Sequence, residues 1–100
     1  MAWSQALQAE KERLLACLIE QCRREVGSSR TVNAQTDPCS HLGICEEDLD
    51  DIQIESAAHF GLRLPFPGEG LVAPWHGPGI KMTLDDLAGW LAVNCRPNSD

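Results

Sequence analysis

Leu42-Gly43-Ile44-Cys45-Glu46-Glu47-Asp48-Leu49-Asp50-Asp51-Ile52-Gln53-Ile54-Glu55-Ser56-Ala57-Ala58-His59-Phe60-Gly61-Leu62-Arg63-Leu64-Pro65 is the stretch on which the reading of this chain turns. Leu42-Gly43 is a turn signal, an acidic helical segment of about fifteen residues follows, and Gly61 with a short apolar-Pro tail closes it. The spacing predicts a helix that begins near Cys45 or Glu46. Leu49, Ile52, Ser56 and Phe60 recur on one face, with Ile54, Ala57 and Ala58 beside them, which is the period of a helix burying one stripe. Asp48, Asp50, Asp51 and Glu55 are left for the outer face. Acids in the first turns interact favourably with the helix dipole, by a few tenths to about 1 kcal/mol each when exposed. Their crowding therefore has a structural explanation beside one in partner recognition.

Upstream, residues 4 to 26 form the clearest helix. Ser4 is placed to cap it, Glu10 and Glu12 come early, and Arg23 and Arg24 fall in the last turns, which suits the dipole. Leu7, Leu14, Leu18 and Cys22 make a stripe that Leu15, Ile19 and Val26 widen. At about three heptads it favours packing within the chain over a coiled coil. Gly27 with Ser28 and Ser29 ends the helix. Residues 27 to 43 read as a long connecting loop, with Val32 and Leu42 as the side chains that fasten it to the core.

Downstream, residues 65 to 79 are dense in proline and glycine, with Pro65-Phe66-Pro67-Gly68 and Pro74-Trp75-His76-Gly77-Pro78-Gly79. That density excludes a long helix and leaves room for a helical turn around Glu69 to Ala73. Trp75 reads either as a plug over the core or as an interface anchor. The last helix spans residues 82 to 92, opened by a capping-box-like pair, Thr83 and Asp86. Leu84, Leu87 and Leu91 supply its buried face, with Ala88 and Trp90 beside them. The domain is expected to cover residues 1 to 95, and residues 96 to 100 to form a frayed tail.

One hundred residues with 43% hydrophobic content suit a single small domain. The net charge is −7, and it is uneven: residues 1 to 30 sum to +1 and residues 31 to 100 to −8. Such a surface repels nucleic-acid phosphates and attracts basic protein surfaces. No run is long enough to span a membrane, and Met1 to Ser4 lacks the basic start of a signal peptide. The expected location is the cytoplasm, and the expected state of Cys17, Cys22, Cys39, Cys45 and Cys95 is the reduced thiol. Cys39, His41 and Cys45 lie near one another but lack a fourth ligand and zinc-knuckle spacing, so no metal site is expected.

The quoted stretch resembles the second helix of acyl carrier proteins. Their pattern runs Leu-Gly, two residues, a modified Ser, then a helix ending in Phe and a short apolar-Pro exit. Here Leu42-Gly43 and Phe60 keep that spacing without a gap. The Thr83 opening is similar to the start of that family's final helix. The resemblance implies an all-α, small four-helix bundle, three helices long and one short or irregular. It also implies a phosphopantetheine arm on the Ser position, but that position is Glu46, whose carboxylate cannot form the phosphodiester. The chain resembles divergent bacterial members of the superfamily that lack this Ser. No cofactor is therefore expected.

Catalysis is not expected. His41, His59 and His76 are scattered, pairs such as Cys39 with His41 or Cys45 with His76 come with no oxyanion motif, and Glu46-Glu47-Asp48 lacks calcium-loop spacing. The reading is a monomeric, non-enzymatic interaction module. It docks on a basic protein surface through Glu46, Glu47, Asp48, Asp50, Asp51 and Glu55, with Trp75 as a further contact. Two alternatives stand beside it. One is a genuine acyl or peptidyl carrier with a displaced attachment at Ser40. The other is a small acidic inhibitor or immunity-type protein.

Overall fold

The computed structural model describes residues 4–27, 30–64 and 81–97. The described chain is a small all-α bundle of four helices, three long and one short: α1 (Gln5–Val26), α2 (Pro38–Leu42), α3 (Glu46–His59) and α4 (Leu84–Asn94). The short strands β1 (Leu62–Arg63) and β2 (Arg96–Pro97) pair antiparallel, Leu62 opposite Pro97 and Arg63 opposite Arg96. Residues 96 and 97, expected in a frayed tail, are thus tied by backbone pairing to the exit of α3.

Helix α1 forms where its pattern predicts. The Ser4 hydroxyl accepts from the Leu7 amide at 3.1 Å, which satisfies one of the free N–H groups of the first turn. Leu14, Leu18 and Cys22 are fully buried, while Leu15, Ile19 and Val26 pack partly against them. The principal interface is α1 on α4, where Leu84, Leu87, Ala88 and Leu91 are fully buried. Each buried Leu contributes on the order of 1.5–3 kcal/mol of transfer free energy. Lys11 Nζ lies 3.3 Å from an Asp85 carboxylate oxygen and ties the same two helices at their rim.

The start of α4 is fixed twice. Its capping box is complete: the Thr83 hydroxyl accepts from the Asp86 amide at 3.1 Å, and the Asp86 carboxylate accepts from the Thr83 amide at 3.2 Å. The amides of Leu84 and Asp85 then donate to the carbonyls of Thr36 and Ala34, at 2.9 and 3.0 Å. These bonds hold the segment after α1 against the bundle, with Val32 buried beneath it and Leu42 partly buried.

That segment is more ordered than a connecting loop. Asp37 caps α2, its Oδ1 accepting from the amides of Cys39 and Ser40 at 3.0 Å each. Pro38 fills the first helical position, where its missing N–H costs nothing. Gly43 ends the turn at φ 74°, a left-handed conformation that glycine adopts without strain. The short helix of the bundle therefore lies before α3. The helical turn anticipated around Glu69 to Ala73 falls outside the described residues, as do Trp75 and His76.

Candidate functional site: the outer face of α3

Helix α3 starts at Glu46, as the spacing predicts, with Cys45 at the N-cap. The faces are distributed differently from expectation. Leu49, Ile52, Gln53, Ser56 and Ala57 are buried, Gln53 and Ser56 completely. Ile54 is 50% exposed, and Ala58 is exposed as well. The buried set follows offsets of three and four residues from Leu49 to Ala57, a regular core stripe that includes a polar Gln and leaves Ile54 outside. Ile54 and Ala58, taken as flanking the core, are corrected to the outer face.

The acids divide too. Glu47, Asp48, Asp51 and Glu55 are exposed, whereas Asp50 is half-buried. Asp50 sits on the flank of the helix rather than on its open face. Glu47, Asp51 and Glu55 form one row at four-residue steps, and Ile54 and Ala58 form an adjoining row, so the acids border an apolar pair. Glu46 occupies the first helical position.

The Cys39 and Cys45 sulfurs are joined in a disulfide, Cα to Cα 4.6 Å, linking the start of α2 to the N-cap of α3. The expectation of reduced thiols at these two positions is corrected, and both sulfurs are occupied. A bond of this kind persists in oxidising surroundings and is rare in the cytosol. His41 is engaged as well, its Nδ1 accepting from the Asp37 amide at 3.0 Å. Among the described residues no group of three or more His, Cys, Asp or Glu is placed to hold a metal ion. Nor is any described helix long and apolar enough to cross a membrane.

Ser40 is exposed on α2, its amide spent on the Asp37 cap. It belongs to α2 and not to the first turn of α3, where free N–H groups favour a phosphate. His59 ends α3 on the surface with its ring edge-on to Phe60, centroids 5.1 Å apart. Ile54 and Ala58 are the residues that sequence reasoning misplaced, and the signal that locates them is the phase of the stripe. The run 49, 52, 53, 56, 57 closes on a helical period once Gln53 is allowed inside.

Comparison of the chain with protein-family models, with curated proteins and with solved structures finds no match in any of the three.

Proposed function

We propose that this chain is a non-enzymatic, acyl-carrier-like interaction module that docks on a basic protein surface through the outer face of α3. The observation that carries this reading is the half-exposed Ile54 among exposed Glu47, Asp51 and Glu55. An apolar side chain ringed by charge matches the anatomy of interfaces, in which a desolvated anchor is surrounded by a polar rim. The two parts have different work. The acids raise the encounter rate with a basic partner and select against acidic ones, while Ile54 slows dissociation once seated. Asp50 contributes less than its neighbours because it is half-buried. Glu46 stands where the carriers that this stretch resembles hold their Ser, so the module works without a phosphopantetheine arm.

Two measurements test the reading. The first is capture of binding proteins from extract by the wild type, by Asp51→Lys/Glu55→Lys and by Ile54→Ala. Loss of a basic partner with both variants, at unchanged helical circular dichroism, is expected; an unchanged set of captured proteins removes this face. The second is the intact mass after co-expression with a broad-specificity phosphopantetheinyl transferase. No change is expected, and a gain of one arm that vanishes in Ser40→Ala would establish a carrier instead.

A further inference from the structure

Four of the chain's eight Lys and Arg residues, Arg13, Arg23, Arg24 and Arg30, line two adjoining hollows along the side of α1, in a chain of net charge −7. The first hollow, about 330 Å³, is lined by Arg23, Arg24, Arg30 and Glu20. Among the described residues each guanidinium has one polar contact. Arg23 donates to the Val32 carbonyl at 3.3 Å, Arg30 to the His41 carbonyl at 2.8 Å, and Arg24 Nε lies 3.4 Å from Glu20 Oε1. A guanidinium has five N–H donors in a fixed fork, so most of them stay available. The two carbonyl bonds tether Arg23 and Arg30 beside the hollow without neutralising them.

The helix dipole accounts for Arg23 and Arg24 in the last turn of α1. It does not account for Arg30, which lies beyond the end of α1 and is fastened at the same hollow by α2. Three positive charges against one carboxylate leave the hollow at +2. A phosphate monoester carries about −1.5 to −2 at neutral pH and three acceptor oxygens that suit forked donors.

The second hollow, about 430 Å³, shares Glu20 and Arg24 with the first and reaches Ala16, Cys17 and Phe60. Its aromatic wall is braced: the Arg13 guanidinium carbon lies 5.9 Å from the Phe60 centroid, and His59 meets the same ring edge-on. It is a hollow open to solvent, not an enclosed cavity.

We propose that these two hollows form one site for a small phosphomonoester, with its phosphate among Arg23, Arg24 and Arg30 and its organic part against Phe60 and Ala16. The site is independent of the α3 docking face. The test is an amide and arginine side-chain NMR titration of the full chain at constant ionic strength with phenyl phosphate, inorganic phosphate and phenol. Phenyl phosphate is expected to give saturable shifts at Arg23, Arg24 and Arg30 and at Ala16, Cys17 and Phe60. Inorganic phosphate should shift the arginines only, and more weakly, and phenol should shift neither set to saturation. Arg30→Gln, and Arg30→Lys to a lesser degree, should weaken binding by about tenfold through loss of the fork. Both variants are checked for native circular dichroism. Shifts reproduced by sodium chloride, or unchanged in Arg30→Gln, overturn the site. Equal responses to phenyl phosphate and inorganic phosphate overturn the organic subsite and assign the hollow to the free anion.

Discussion

Cys39 and Cys45 are bonded to one another, so the start of α2 and the N-cap of α3 are covalently one unit. The N-cap of α3 makes no side-chain hydrogen bond to the helix. Most N-cap residues use a hydroxyl or carboxylate oxygen to hold the first turn. Here a covalent tie to the neighbouring turn fixes the entry angle of the chain, and acids in the first turns complement the free N–H groups.

The tie closes a ring of only a few residues, with a sequence separation of 6. In the chain-entropy account a loop of that size is stabilised by about 2 kcal/mol. Cys39→Ser/Cys45→Ser should therefore lower the unfolding free energy by about 2 kcal/mol in urea. Dithiothreitol should shift the wild-type midpoint toward that of the double variant and leave the double variant where it is. A reductant that moves neither protein would show that the bond is absent in solution.

Gln53 gives a prediction of opposite sign. Its Oε1 and Nε2, and the Ser56 hydroxyl three residues on, are buried with no hydrogen-bond partner among the described residues. A buried polar group left unpaired costs about 1–3 kcal/mol. Gln53→Met, close in volume, should raise stability by on the order of 1–2 kcal/mol, and Ser56→Ala by less. Denaturant midpoints decide this. Destabilisation by both would mean that these atoms are solvated by ordered water rather than orphaned.

Gln53 also marks the limit of what the sequence reveals. Helices α1 and α4 are legible because their apolar stripes are pure and their caps, Ser4 and Thr83 with Asp86, stand in the expected places. The start of α3 is legible from Leu42-Gly43. Its phase is not, because a buried Gln and an exposed Ile trade the positions that hydrophobicity assigns them. The short α2 is missed by a reading of residues 27 to 43 as loop, although Asp37-Pro38 is a capping residue followed by proline at the first helical position. The disulfide is not legible, since five cysteines without an export signal carry no local mark that tells a paired thiol from a free one. Nor is the arginine hollow: Arg30 reaches it only because α2 folds back and offers the His41 carbonyl.

The capping box of α4 carries more than the helix end, since the next two amides donate to Thr36 and Ala34. Thr83→Ala should cost about 1–2 kcal/mol, the upper half of the usual range for caps. Hydrogen exchange should speed up in the first turn of α4 and at the Thr36 amide, which donates to the Asn33 carbonyl. Faster exchange confined to α4 would show that the segment from Asn33 to Thr36 is held by Val32 packing alone.

Cys22 sets a pH dependence. Its thiol is fully buried in the α1 stripe, and burial, then the Glu25 carboxylate, push its pKa from 9.0 up to about 11. A raised folded value favours the neutral form, so the stability linked to this thiol is fully present below the unfolded value. It is lost as the pH rises through the folded one. The window is therefore about 9 to 11, and the loss across it is on the order of 2–3 kcal/mol. Urea unfolding of the wild type should weaken more steeply over that window than unfolding of Cys22→Ala. The variant starts from a lower baseline because it leaves a cavity, so the slopes are compared and not the values. At pH 8 the native Cys22 should also resist alkylation, the thiolate being the nucleophile and the site closed to solvent. Equal slopes, or rapid alkylation of Cys22 in the folded protein, would place this thiol outside the core.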